Sequence, residues 1–330
     1  MTPGTTDRKI DKLIHLLVKN ATLVVPGPKI AAEIGVTRST VWMWIERLRS
    51  MGVEIKGYPA SGYQLQTLPD ILAPSLLRPE LGENEIGRRI VHFFRTDSTN
   101  NVAAQLAAKG EPHGTVVVAE EQTAGRGRLG RSWYSERTSG IYVSVILRPP
   151  LAPAAAPVLT LVAGLAAHQA VSQVAGVPVD IRWPNDILLH GKKLGGILTE
   201  MSAEMDRLHA VIIGIGLNVN HRAMPAELKE IATSLRLEGG RPYARVPVLV
   251  ALLKELERHY RLLLEEGSAA VVRRWAAAST FAEGKRVRVR SNADQFEATT
   301  AGLEANGVLR VRRADGREQL LVSGEIVELK

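Results

Sequence analysis

The stretch "GRGRLGRSW" at residues 125–133 alternates three arginines with three glycines. A planar guanidinium offers several donors to a phosphate or a carboxylate, and glycine lets the backbone approach a ligand closely. We therefore predict a pliable loop that closes over an anionic ligand. A solvated surface loop would have the same composition, so the rest of the chain has to decide between the two interpretations.

The same loop also matches the G-x-G-x-x-G pattern of a dinucleotide-binding turn, through Gly125, Gly127 and Gly130. Such a turn must follow a strand and open a helix, because the pyrophosphate rests on the helix N-terminus. The upstream segment "TVVVAEEQT" has the composition of a strand, but the downstream segment "SWYSERTSGIYVSVIL" is β-rich. A dinucleotide-binding fold is therefore not indicated.

Polar side chains also stand at the ends of other predicted elements. The segment "DSTN" (97–100) is typical of a helix N-terminus, and "RWPND" (182–186) ends a predicted strand. Lys193 follows Asp186 on the returning strand of a predicted hairpin. Such a pair is usually a surface ion pair worth about 0 to 1 kcal/mol.

Two glycines interrupt an apolar strand in "IIGIGLNVN" (212–220). Glycine weakens a strand and often marks a place where another group approaches the backbone closely. Either a ligand or a closely packed helix would account for Gly214 and Gly216.

Composition excludes several kinds of chemistry. The 330 residues include no cysteine, which excludes disulfides, thiolate metal sites and a cysteine nucleophile, and the eight histidines form no metal-binding motif. The first residues are charged where a secretory signal would be apolar, and the longest apolar stretch, residues 158–167, is too short to span a bilayer. We expect a cytoplasmic protein that does not enter a membrane.

Residues 1–66 have the pattern of a winged helix-turn-helix. Apolar residues recur at helical spacing over about 8–19, and two shorter helices follow, the second with Thr37 as its cap. The segment "VEIKGYPASGYQL" then predicts two short strands around a turn. The module has nine basic and five acidic residues, so it carries +4 of the net charge of +8. This charge favours DNA as the partner, although a module used for protein contacts would look similar.

The rest of the chain predicts two further domains in an α+β protein. After three prolines that we interpret as a linker, strands alternate irregularly with helices over residues 67–279, which predicts a domain with a mixed or mainly antiparallel sheet. Residues 280–330 contain short strands joined by Asn-Gly and Asp-Gly turns, as in a small SH3-like β-barrel. Its arginine-rich strand "KRVRVR" is expected to be a solvated face.

These motifs together resemble those of the bifunctional biotin protein ligases, which also repress the biotin operon. The resemblance covers essentially the whole length, from the winged helix through "GRGRLGRSW", "RWPND", "KLGGIL" and "GIGLNVN" to the C-terminal "GEI". It implies that biotin and ATP, which arrives with Mg²⁺, form biotinyl-5′-AMP and pyrophosphate. A lysine of a biotin carboxyl carrier protein then attacks the mixed anhydride.

The resemblance also implies which residues form the site. The implied catalytic residues are Arg126, Arg128, Asp186 and Lys193. The implied biotin ligands are Ser98, Thr99, Asn100, Gln122, Arg126, Gly127, Arg128 and Lys193. The implied ATP ligands are Arg128, Arg131, Trp133, Asn185 and Asn218. Lys193 would touch the biotin carboxylate and the α-phosphate, and Asp186 would orient the incoming lysine or accept its proton.

The resemblance further implies that the protein dimerises when the adenylate is bound and then binds operator DNA. The candidate DNA ligands are Arg38, Ser39, Thr40 and Arg47. Trp42, Met43 and Trp44 depart from the polar residues expected on this helix. Two alternatives remain: a lipoate-type ligase, and a ligand-responsive transcription factor without catalysis.

Overall fold

The computed structural model describes residues 5–205, 207–291 and 294–329. Its N-terminal part contains α1 (Thr5–Lys19), α2 (Gly27–Ile34), α3 (Arg38–Ser50) and the antiparallel strands β1 (Ile55–Tyr58) and β2 (Gly62–Leu65). Helix α3 begins where the Thr37 hydroxyl accepts a hydrogen bond from the Thr40 amide at 3.2 Å. The winged helix-turn-helix is therefore confirmed, and nearly all of its hydrophobic core comes from its own residues.

The central part is built on one mixed sheet. Its elements are α4 (Pro74–Leu81), β3 (Ile90–Phe93), α5 (Thr99–Ala108), β4 (Thr115–Ala119), β5 (Gly140–Leu147), α6 (Val158–Ala175), β6 (Val179–Arg182), β7 (Asp186–Leu189), β8 (Lys192–Ala203), β9 (Leu208–Asn218), α7 (Leu235–Gly239), α8 (Arg245–Glu266) and α9 (Ser268–Ala278). The strand order in the described part of the chain is β3-β4-β5-β9-β8-β7-β6. Strands β3 and β4 run parallel, and the other neighbours run antiparallel.

Helices cover both faces of this sheet. Along β4, Val116 and Val118 belong to a large core that includes α6 and α8, whereas Val117 and Ala119 pack with residues of α5. Successive side chains of a strand point to opposite faces. Helix α5 therefore lies on one face, and α6 and α8 lie on the other.

Helix α6 is the most apolar element. With the turn before it, over 153–175, it has the length and composition to cross a membrane, but 67% of the relevant window is buried inside the protein. The expectation that no apolar segment reaches that length was wrong, because the helix continues through small residues beyond the stretch 158–167. Its burial against α8 and the sheet explains the apolar composition instead.

The C-terminal part is a five-stranded antiparallel sheet in the described residues. Its strands are β10 (Glu283–Arg290), β11 (Gln295–Leu303), β12 (Leu309–Arg313), β13 (Glu318–Leu321) and β14 (Glu325–Glu328), in the order β13-β12-β11-β10-β14. Arginines of β10 and β12 pair with acidic side chains on neighbouring strands, for example Arg288 with Glu297 at 3.1 Å and Arg312 with Glu318 at 3.0 Å. The SH3-like sheet is confirmed, and these pairs support a solvated arginine face.

The predicted linker is an ordered junction rather than an extended connection. Pro74 is the first residue of α4, a position that suits proline because the first amides of a helix lack partners. Just before it, the Leu72 amide donates to the buried Glu120 carboxylate at 2.7 Å. Glu120 also pairs with Arg245 at 2.8 Å, and Arg245 pairs with Asp70 at 3.1 Å.

Candidate functional site

Strands β8 and β9 place glycines opposite each other under two large side chains. Gly196 pairs with Gly216, and Leu198 pairs with Gly214. A Cβ atom on Gly214 would lie 2.1 Å from the Asn100 side chain, and one on Gly216 would lie 2.5 Å from the Trp133 indole. The glycines are therefore required by the close approach of α5 and of the arginine loop to the strand.

The N-terminus of α5 is capped by a distant residue. Ser98 occupies the cap position but makes no side-chain cap hydrogen bond among the described residues, which corrects the expectation that "DSTN" caps its own helix. Instead, Gln122 Oε1 accepts from the Thr99 amide at 2.8 Å and from the Thr99 hydroxyl at 3.1 Å. Gln122 Nε2 donates to Ser135 at 2.8 Å. Gln122 thus joins the helix to the loop that follows the arginines.

Asn100 connects α5 to the sheet. Its amide nitrogen donates to Glu200 Oε2 at 2.8 Å and to the Leu198 carbonyl at 3.3 Å, and its oxygen accepts from the Ser144 hydroxyl at 2.6 Å. With a 4% exposed side chain, Asn100 is fixed in position by these three contacts.

The arginine loop closes against the sheet and against the C-terminal sheet. Its turn is held by a hydrogen bond from the Gly127 amide to the Arg131 carbonyl at 2.7 Å. Arg126 pairs with Glu200 at 2.6 Å, and Arg131 pairs with Glu325 of β14 at 2.5 Å. The guanidinium groups therefore point to three different surroundings, because the third, Arg128, takes another set of partners.

Arg128 lies between the "RWPND" segment and the C-terminal sheet. It donates to Asn185 Oδ1 at 3.1 Å and to the Gly324 carbonyl at 3.3 Å. Burial lowers the pKa of the Arg128 guanidinium, although the nearby carboxylates of Glu325 and Asp186 favour its charged form. This half-buried cation is directed at the same region as Lys193.

Asp186 stands between two cations. Its oxygens lie 2.5 Å from Lys193 Nζ and 2.7 Å from Arg182 NH2. Burial raises the pKa of the Asp186 carboxyl, but the charges and hydrogen bonds of Lys193 and Arg182 lower it more, so the net shift is downward. A carboxylate with a lowered pKa is a poor proton acceptor, so this geometry favours holding Lys193 over general-base work.

Trp133 lies over the glycines, with Lys193 Nζ 5.8 Å from the centre of its ring. Its indole nitrogen is buried and has no hydrogen-bond partner among the described residues. Trp183, by contrast, is 4% exposed and donates to the Gly307 carbonyl at 3.1 Å. The sequence left open whether both tryptophans belong to the core, and Trp133 is the one at the site.

The two remaining polar candidates are tied to the backbone. Asn185 Nδ2 donates to the Ile197 carbonyl at 2.8 Å, and Asn218 Nδ2 donates to the Thr233 carbonyl at 3.0 Å. The Thr233 amide in turn donates to the Lys193 carbonyl at 3.0 Å. Asn218 therefore supports the segment that fixes the backbone of Lys193.

Four residues of this region were not predicted from the sequence: Ser144, Arg182, Glu200 and Glu325. Each is a partner of a predicted residue across a large sequence separation, which local patterns do not reveal. The alternation of β8 would have placed Glu200 on the face of Gly196, because the two are separated by an even number of residues.

The candidate DNA-binding helix shows a different distribution from the one expected. Arg38 and Ser39 are exposed at the start of α3 and Thr40 is half-buried. The guanidinium of Arg47, however, lies 4.4 Å from the centre of the Phe94 ring, against the central part of the chain. Arg47 is therefore omitted from the contacts proposed below. Trp44 is 6% exposed and belongs to the core, whereas Trp42 and Met43 are 56% and 55% exposed.

No group of three or more His, Asp or Glu side chains is placed to hold a metal ion in the part of the chain that the structure describes. The acidic residues near the arginine loop are each paired with a cation.

Known proteins share these features in the same order. Residues 93–218 match the Biotin/lipoate A/B protein ligase family, residues 9–64 match an HTH domain and residues 284–327 match the biotin protein ligase C-terminal domain. The Bifunctional ligase/repressor BirA of Bacillus subtilis is 38% identical over 93% of this chain and 95% of its own length. The protein of the same name from Escherichia coli is 29% identical over 91% of each chain. The solved biotin protein ligase from Aquifex aeolicus in complex with biotin and ATP has a TM-score of 0.63 and 29% identity, and covers 74% of this chain and 99% of its own.

Proposed function

The chain belongs to the biotin protein ligase family, and from this premise we propose that it is an ATP-dependent biotin protein ligase that also represses biotin genes. Biotin and ATP form biotinyl-5′-AMP with release of pyrophosphate. The amine of a carrier-protein lysine then attacks the acyl carbon, and AMP leaves. The observation that carries this proposal is the convergence of Arg128, Lys193 and Trp133 over the glycines of β8 and β9.

The first step brings a carboxylate against a triphosphate, so charge neutralisation and placement are its main demands. Arg126 and Arg128 are supplied by the loop, and Lys193 is supplied by β8. In this proposal, Lys193 contacts the biotin carboxylate and the α-phosphate. Closure of the loop also keeps water away from the reactive anhydride.

The uncharged end of biotin meets the polar groups around the start of α5. Ser98, Thr99, Asn100 and Gln122 offer hydroxyl and amide partners, and the hydrogen bonds among them support a preorganised pocket. Gly127 allows the loop backbone to approach the ligand.

The nucleotide lies beside Trp133, with Arg131, Asn185 and Asn218 around it. Asp186 holds Lys193 in place, and its lowered pKa supports this role over that of a base. Mg²⁺ enters as its ATP complex and neutralises phosphate charge. Because Asp186 is already paired with cations, the phosphate oxygens supply most of the Mg²⁺ ligands.

The test of the ligase activity is the release of pyrophosphate on adding biotin and ATP, followed by labelling of a lysine on a biotin carboxyl carrier protein. Lipoate offered under the same conditions should give no adenylate. Binding of biotin without pyrophosphate release would instead favour a transcription factor without catalysis, and lipoyl-adenylate alone would favour a lipoate-type ligase.

The winged helix-turn-helix and the similarity to the two ligase/repressors support a second activity at operator DNA. Arg38, Ser39 and Thr40 at the exposed start of α3 contact the DNA, and the adenylate promotes the homodimer that binds it. The protein acts in the cytoplasm, where its carrier protein and the operator are found. A gel shift with the upstream region of a biotin gene should depend on the adenylate, and no shift in either state would remove the repressor activity.

A further inference from the structure

The guanidinium of Arg126 is already occupied by a carboxylate of the protein itself. Its terminal nitrogens donate to Glu200, from NH2 to Oε1 at 2.6 Å and from NH1 to Oε2 at 3.3 Å. This forked pairing is the one that an arginine forms with a free carboxylate. No step of the proposed reaction uses Glu200.

We propose that Glu200 is an internal competitor for the substrate carboxylate. It holds the fork of Arg126 until the carboxylate of biotin takes its place. This inference rests on the proposed function, because it takes Arg126 as a ligand of biotin.

The pair is exposed enough to exchange. The side chains of Arg126 and Glu200 are 45% and 32% exposed, and such ion pairs contribute only about 0 to 1 kcal/mol. The buried pair of Arg245 and Glu120, in which both side chains are 0% exposed, would by contrast be costly to break. The Arg126 pair is therefore strong enough to weaken ligand binding and weak enough to be displaced.

Both members keep a partner after the exchange. Glu200 Oε2 also accepts from Asn100 Nδ2 at 2.8 Å, and Arg126 NH1 also donates to Asn101 Oδ1 at 2.7 Å. Consequently, displacement by a carboxylate leaves neither charged group without a hydrogen bond. A neutral ligand cannot take the place of Glu200 on the fork, so the competition applies to acids alone.

The test is the dissociation constant of the full-length protein for biotin and for its neutral alcohol, biotinol, measured by calorimetry. Glu200→Gln keeps an oxygen for Asn100 but removes the competing charge. We expect this variant to bind biotin up to about fivefold more tightly, the equivalent of about 1 kcal/mol. Biotinol should bind both proteins with the same affinity, and the difference for biotin should shrink at high salt. Glu204→Gln removes the same charge from an exposed side chain paired with His209, and it should change neither constant.

Weaker or unchanged binding of biotin to Glu200→Gln would overturn the proposal, since a carboxylate that merely orients Arg126 would help binding. An equal gain for biotin and biotinol would also overturn it. Pyrophosphate release is measured on the same samples. If the unaltered protein binds biotin without releasing pyrophosphate, the ligase activity fails while the comparison of biotin with biotinol still decides the role of Glu200.

Discussion

Asp186 has two cationic neighbours, and this decides which chemistry its carboxylate can support. Because the pKa of Asp186 is lowered, the group stays ionised throughout the neutral range. We expect Asp186→Asn to slow adenylate formation by about 10- to 100-fold, because Lys193 loses the group that holds it. The shape of the pH–rate profile between about pH 5 and 9 should stay the same. A limb of the profile that disappears in the variant would restore the general-base role.

Arg128 and Lys193 approach the same ligand region from different elements, so their loss should affect the same step. We expect Arg128→Ala to lower the rate of pyrophosphate release by about 10²- to 10³-fold, the usual effect of removing one preorganised donor. The double variant with Lys193→Ala should be less active still. Arg288→Ala removes an arginine from an ion pair of the C-terminal sheet and serves as the matched control. An unchanged rate in the double variant would remove the electrostatic basis of the mechanism.

The sequence predicted the residue types at the site better than their partners. The motifs identified Arg126, Asp186 and Lys193 because each belongs to a short pattern of fixed spacing. Glu200 and Arg182 pair with them across the sheet, and which side chain a cation selects depends on the register of the strands. That register was not available from any single segment.

At the scale of elements, the helices were predicted closely where periodicity was long and uninterrupted. The expected helix near 246–265 is α8, at 245–266, and the one from Thr99 onward is α5. Helix α4 was missed because prolines were interpreted as a linker, although Pro74 suits the first turn of a helix. Tertiary contacts settled both that helix and the cap that Gln122 provides to α5.

The junction between the DNA-binding module and the sheet depends on one buried carboxylate. Glu120 is fully buried, pairs with Arg245 and accepts from the Leu72 amide. Glu120→Gln should lower the free energy of unfolding by about 2 to 4 kcal/mol, at or below the usual cost of breaking a buried pair because Arg245 keeps Asp70.

Urea denaturation would measure this loss. Glu111→Gln breaks the more exposed pair with Arg89 and should cost less than about 1 kcal/mol. Equal effects of the two substitutions would show that the buried pair contributes no more than a surface pair.

At the scale of the whole molecule, the charge of the chain is unevenly distributed. The first 66 residues carry half of the net charge of +8, which suits a module that meets DNA. Arg47, however, is spent on a contact with Phe94 within the protein. The orientation of the DNA-binding module is thus fixed partly by a residue that sequence alone assigned to DNA.

The stability of the whole protein should decrease in mild acid because two histidines are buried in neutral form. Burial lowers the pKa of His221 and of His259 to about 4. The unfolded chain binds these protons near pH 6.5 and the folded chain does not, so stability is lost as the pH falls from about 6.5 to about 4. The slope is about 1.4 kcal/mol per pH unit for each histidine. Glu120 does not contribute in this window, because its pKa is lowered to about 2 and its stabilising effect is lost below about pH 4.5.

The melting temperature measured between pH 7 and 4 tests this dependence on the whole chain. His259→Gln keeps a side chain able to hydrogen-bond Gln169 but removes the proton site, so its melting temperature should fall less steeply with acid. His15→Gln alters an exposed histidine and should leave the slope unchanged. If His259→Gln and the unaltered protein have the same slope, the acid sensitivity arises elsewhere, and His221 alone would have to supply it.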